Sequence, residues 1–102
     1  MALPTLTPEQ RQVALAKARE ARAARSAMLA GLKAGTLTLA DVLGREDDTA
    51  RRTKVAQVIR ALPGVGQART AAVMERAGIS PDRRVGGLGA RQRELLLAEF
   101  AG

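Results

Sequence analysis

The five residues Leu62-Pro63-Gly64-Val65-Gly66 constrain this chain more than any other stretch. They stand between two strongly helical segments, "TKVAQVIRA" upstream and "QARTAAVMERAGI" downstream. The proline ends the first helix, because its ring disfavours helical backbone in the residue before it. Gly64 and Gly66 then admit backbone conformations closed to other residues. Two readings satisfy this pattern: a hinge joining two helices of a bundle, or a shaped turn that grips something. In the second, the backbone amides of Val65, Gly66 and Gln67 are free at the positive end of the downstream helix. Such amides form an anion site, and without side chains a phosphate can approach them closely.

Size and composition restrict what the turn can serve. A chain of 102 residues has room for one small domain that buries about two thirds of its unfolded surface. Its apolar residues are mainly Ala, Leu and Val, and Phe100 is the sole aromatic. Base-stacking platforms for single strands need several aromatics, so that class is nearly excluded. With 17 Lys plus Arg against 10 Asp plus Glu, the formal net charge is +7, which points to a polyanionic partner. Only Lys17, Lys33 and Lys54 are lysines. The arginine bias suits planar, bidentate contacts to phosphate, although a high-GC genome produces the same bias.

Cysteine and histidine are absent. That removes disulfides, thiolate nucleophiles, zinc sites of the usual kinds and histidine general bases, and no cofactor or metal is expected. No apolar run approaches the roughly 18 residues of a membrane span, and the start "MALPTLTPEQR" has no signal-peptide pattern. The expected location is the cytoplasm or the nucleoid, with no membrane partner.

Helical signals run along the whole chain, without β-alternation, repeat or linker. Thr7 can cap a helix, Pro8 suits its first position, and nothing breaks the segment until Gly35. The spacing predicts a helix over 8–33, and at 1.5 Å per residue it is about 39 Å long. Its first two thirds hold only Val13 and Leu15 as large apolar residues, so this part should project from the core. Arg11, Arg19, Arg22, Arg25 and Lys33 fall within about 120° of one another on the helical wheel. That face is either simply solvated or an arm lying along phosphates.

The remainder, 36–102, reads as a compact helical core. A short helix capped by Thr38 is followed by a helix over 49–61, with Val55, Val58, Ile59 and Leu62 on one buried face. Another runs from Gly66 to Ala77, where Ala68, Ala71 and Ala72 would let a neighbouring helix approach closely. A fifth covers about Ala90 to Phe100. Residues 34–50 carry Arg45 against Asp41, Glu46, Asp47 and Asp48, and should face away from a polyanion. Residues 51–93 hold ten basic side chains against Glu75 and Asp82, a local net of +8. The fold class is therefore all-α, with about five helices, a long projecting N-terminal helix and a single domain spanning 1–102.

"LPGVG" followed by alanines at helix positions resembles the helix-hairpin-helix family, whose glycine turn binds duplex backbone without sequence preference. A longer match is more specific. "MALPTLTPEQR", "TKVAQVIRALPGVGQARTAAVMERAGI" and "DRRVGGLGARQRELLLAEF", in this order and spacing, resemble the actinobacterial integration host factor family over nearly the whole chain. The resemblance implies a small nucleoid-associated protein built around a helix-two-turns-helix element. Such a protein binds duplex DNA with little sequence preference, bends or bridges it, and assists phage integration through DNA shared with the integrase. A monomer in solution is expected. The family's glycine turn maps onto Leu62 to Gly66, and its basic loop, usually Arg-Arg-x-Arg-Gly-Leu-Gly, onto Arg83 to Gly89. The third arginine of that loop is Gly86 here, and the lysine commonly following the glycine turn is Gln67. Each departure removes a cation, with Arg69 and Arg91 as partial replacements. On this reading Gly86→Arg should tighten binding.

The expected DNA-binding residues are Lys54, Gly64, Val65, Gly66, Gln67 and Arg69 around the turn, which would clamp phosphates across a minor groove. Arg83, Arg84 and Gly87 belong to the loop, where arginine is drawn to narrow A·T grooves, Arg91 to the start of the helix after it, and Arg19 and Arg22 to a second basic surface on the long helix. An enzyme that flips a base needs a catalytic group and a further domain, for which there is no room. Asp41, Asp47, Asp48 and Glu75 read as surface or capping carboxylates. The rival to a DNA partner is RNA, since a small-subunit ribosomal protein shares the element. A membrane-bound first helix fails for want of an apolar face.

Overall fold

Thr7 starts the first helix by a reciprocal cap. Its hydroxyl accepts from the Gln10 amide at 3.1 Å, and Gln10 Oε1 accepts from the Thr7 amide at 2.9 Å. In the computed structural model, which describes residues 5–100, this helix is α1, Pro8–Ala34. The first four residues of the matched N-terminal stretch lie outside the described residues. α1 ends where expected, at Gly35, whose φ of 81° is left-handed and costs glycine little. From Thr7 to Ala27 its side chains are exposed apart from a half-buried Ala18; Met28 and Leu32 then enter the core. The outer part of α1 thus projects, and the molecule measures 50 × 33 × 24 Å.

Five more α-helices follow: α2 (Leu39–Leu43), α3 (Asp48–Arg52), α4 (Val55–Ala61), α5 (Gln67–Arg76) and α6 (Ala90–Glu99), with a 3-10 turn over Val85–Gly87 before α6. α1 packs on α3 and α4, α4 on α5, α2 on α6, and α3 on the 3-10 turn. Leu32, Val42, Val55, Val58, Ile59, Val85 and Leu96 are the largest fully buried side chains. Every α-helix contributes to this core, α3 through Ala50 and α5 through Val73 and Met74. Leu62, expected on the same face as Ile59, is half-buried.

Two expectations change. The helix expected over 49–61 is two helices, separated at Thr53 and Lys54, whose ψ angles of 138° and 139° are extended. The break is stabilised from a distance. Val55 donates to the Arg83 carbonyl at 2.9 Å and the Val85 amide to the Thr53 carbonyl at 3.0 Å, an antiparallel bridge between Lys54 and Arg84. Two hydrogen bonds to the basic loop replace the helical ladder, and the buried Thr53 hydroxyl donates to the Thr49 carbonyl at 2.6 Å. The alanines of α5 are the second change. Ala68, Ala71 and Ala72 are exposed, and Thr70, Val73 and Met74 make the buried face.

Candidate nucleic-acid interface

The turn after α4 is tight. The Val65 amide donates to the Leu62 carbonyl at 3.1 Å, with Pro63 second and Gly64 third in the reversal. Gly64 has φ of 74°, as the third residue of a type II turn requires. Val65 is buried at 8% exposure and anchors the turn in the core. Its amide, expected to be free, is consumed by the turn itself, because closing a four-residue reversal uses that donor. Gly66 follows in extended conformation as the N-cap of α5, with no side-chain cap. Among the described residues the amides of Gly66 and Gln67 meet no acceptor. The Gly66 carbonyl is held by the Thr70 amide at 3.0 Å and the Thr70 hydroxyl at 2.8 Å, so the two free amides are fixed in direction. Around Gly64 and Gly66 the space where a Cβ would sit is open for 4 Å.

Cations border this turn. Lys33 at the end of α1 and Arg60 at the end of α4 line a groove of about 650 Å³ with the turn residues, and neither forms an ion pair among the described residues. Arg60 was not among the sequence candidates, although its place two residues before Leu62 was the available signal. Gln67 sits beside the turn, at the edge of a groove of about 460 Å³ between α4 and α5. Arg69 turns away. Its guanidinium lies 5.0 Å above the Phe100 ring and 3.9 Å from Glu99, which also holds Arg76 at 2.7 Å. These contacts tie α5 to the end of α6.

The basic loop is organised by its own backbone. Arg83 donates to the Gly87 carbonyl at 3.1 Å, and a Cβ on Gly87 would stand 3.1 Å from Arg83 Cδ, so the glycine makes room for that side chain. Lys54 is joined to the loop by the backbone bridge and faces Asp82 at 3.7 Å. Arg84 is exposed in a cleft of about 280 Å³ with Arg25 of α1 and Arg52 of α3. Arg19 and Arg22 lie further out on α1, both exposed, and do not line this cleft. Arg91 is exposed and near Glu94 at 3.8 Å. Beneath the loop, Arg93 is half-buried and donates to the carbonyls of Leu43, Val85 at 3.3 Å and Leu88 at 3.5 Å. This arginine fixes the loop rather than presenting charge.

The acidic stretch does not wholly face away. Asp48 lines the cleft of Arg84 and pairs with Arg52 at 3.8 Å, and Glu46 shares a second cleft with Gly86. The short α3 packs on the loop, which carries its acidic start there as well. Other carboxylates serve as caps. Asp41 accepts from the Thr38 amide at 2.8 Å, and this bond lowers its pKa. Asp47 accepts from Arg45 through both oxygens at 2.7 and 2.9 Å and caps the Ala50 amide at 3.3 Å. The Arg45 contact is the main cause holding its carboxyl at about 2.

A phosphate-sized anion thus finds two fixed amides at a helix start, two unpaired cations beside them, and a rigid arginine loop braced on α3 and α4. Such a frame defines a helix-two-turns-helix domain. Residues 32–100 match the family model described as an S13-like H2TH domain. The integration host factor of Streptomyces coelicolor is 47% identical, the match covering 98% of this chain and 95% of that one. Those of Mycobacterium tuberculosis and Mycolicibacterium smegmatis are each 44% identical over 98% of this chain and 97% of theirs. A solved structure of sIHF bound to an 8 bp palindromic DNA superposes with a TM-score of 0.80 at 41% identity, covering 83% of this chain and 98% of that one. This chain belongs to the actinobacterial integration host factor family.

Proposed function

We propose that this protein is a duplex-DNA-binding, nucleoid-associated protein of the cytoplasm, without enzymatic activity, that binds with little sequence preference and bends or bridges DNA. It acts as one domain and as a monomer in solution, and assists phage integration through DNA that it shares with the integrase. The observation that carries the reading is the uncapped start of α5, where the Gly66 and Gln67 amides have no acceptor among the described residues and Lys33 and Arg60 stand beside them. A helix start of this kind favours an anion by charge and by hydrogen bonding together. The DNA-bound relative supports the choice of DNA over other polyanions.

The site residues are the turn Gly64 to Gln67, the loop cations Lys54, Arg83 and Arg84, and the exposed arginines Arg19, Arg22 and Arg91, to which Lys33 and Arg60 are added. Arg69 contributes charge only if it leaves Glu99. A phosphate turn of this kind serves RNA equally, and the S13-like description of the family keeps that reading in view. Gel shifts with duplex DNA, single-stranded DNA and structured RNA, each at several salt concentrations, separate the two. Duplex DNA should bind tightest, and for roughly five to eight neutralised phosphates the slope of log K against log salt should be about −4.5 to −7. A slope near zero, or a preference for single strands or RNA, would overturn the reading.

A further inference from the structure

We infer that Arg51, on α3, is a phosphate contact of the basic loop, and that it occupies its place because position 86 carries no side chain. α3 lies on the 3-10 turn and is fixed there by the bridge that follows it. A Cβ built on Gly86 would stand 3.1 Å from Arg51 Nε, 3.2 Å from Arg51 Cβ and 3.2 Å from its carbonyl oxygen. The arginine side chain therefore crosses directly over the Gly86 backbone. A Cβ at 86 presses on the Arg51 side chain and on its carbonyl, each of which must give by a few tenths of an ångström, and a long side chain there competes with Arg51 for the same space.

The charge at this point is available. Arg51 is exposed and forms no ion pair among the described residues. Its neighbours in the cleft are otherwise engaged: Arg45 is held by Asp47 through both oxygens, and Arg93 is turned to the carbonyls of Leu43, Val85 and Leu88. Glu46 is the one carboxylate lining the cleft. An unpaired guanidinium spread over bare backbone, on the loop that carries Arg83 and Arg84, suits bidentate contact with a phosphate oxygen pair. Positions 51 and 86 then form one cation site that either residue can fill and both cannot. This changes the expectation for Gly86→Arg, whose new side chain displaces Arg51 and adds little.

The inference rests on the duplex-DNA reading, and the test keeps the two apart. Duplex affinity is measured by fluorescence anisotropy over a salt series for the parent, Arg51→Gln, Arg51→Ala, Gly86→Arg and the double variant Arg51→Ala with Gly86→Arg. Each is checked for its far-ultraviolet dichroism and melt. Loss of one phosphate contact should raise Kd about fivefold near 150 mM salt and make the slope shallower by about 0.9. Arg51→Gln keeps most of the stem over Gly86 and should lose as much as Arg51→Ala. Gly86→Arg alone should bind within roughly twofold of the parent, and the double variant should recover to the same level, with the salt slope restored. Parent-like affinity and slope in Arg51→Gln would overturn the inference while leaving DNA binding intact, and so would a double variant no better than Arg51→Ala. A parent that binds no duplex at any salt would overturn both.

Discussion

Gly64 and Gly66 serve the turn in different ways, and substitution separates them. At Gly64 the φ of 74° is left-handed, so Gly64→Ala should lose about 1–2 kcal/mol of stability from backbone strain and weaken duplex binding with it. At Gly66 the backbone is extended and the Cβ position is open. Gly66→Ala should keep the stability of the fold, or raise it by up to ~1 kcal/mol, while the methyl holds phosphate off the amides. Equal DNA affinity of parent and Gly66→Ala would reduce the turn to a connector. A second residue-level outcome concerns acid. Asp47 titrates near 2 instead of 3.8, mainly because Arg45 binds its charged form. A lowered folded pKa stabilises above the unfolded value and is lost as pH falls. Parent melting temperature should therefore decline between pH 3.8 and 2, and Asp47→Asn, which can still cap Ala50, should show a smaller decline. The two glycines and the capping role of Asp47 were legible in the sequence. The loss of the Val65 amide to its own turn was not, since the same five residues are compatible with that amide free or bonded to the Leu62 carbonyl.

Among the elements, the pairing of the loop with the break between α3 and α4 decides where the cations stand. Local pattern favours an unbroken helix through Thr53, and nothing nearby in sequence argues otherwise. The bridge partner is Arg84, and a contact over that separation leaves no periodic trace. Tertiary hydrogen bonds overrode a weak local preference. The same holds for Arg93, one arginine among many in the sequence, which the fold turns inward to three carbonyls. Arg93→Ala should leave the carbonyls of Leu43 and Leu88 without the arginine donor, while Val85 keeps the Leu88 amide, and cost about 1–3 kcal/mol, read as a lower melt. Duplex affinity should fall as the loop loosens. Arg93→Lys restores the charge but not the fork of donors, so it should recover little of either. Full recovery by lysine would mean that Arg93 acts through its charge. The long helix α1, the reversal at Gly64 and the stop at Gly35 were readable because each is set by neighbours in sequence: a cap, a proline, a glycine.

At the scale of the whole molecule, α1 carries a cation to each part of the candidate surface. Arg25 lines the cleft of Arg84 at the loop, and Lys33, two turns further along or about 12 Å at 1.5 Å per residue, borders the glycine turn. Composition foretold a cationic surface but not its arrangement, and the acidic residues Glu46 and Asp48 come closer to it than the charge blocks suggested. DNA binding at the glycine turn requires that the free amides at the start of α5 face the phosphates. Its most direct test is amide chemical-shift mapping of the ¹⁵N-labelled protein during titration with a short duplex. The Gly66 and Gln67 amides should move most among the backbone signals around the turn, together with residues 83–87, and added salt should reverse the Gly66 and Gln67 shifts. Unmoved Gly66 and Gln67 amides in a protein that binds the duplex would contradict it.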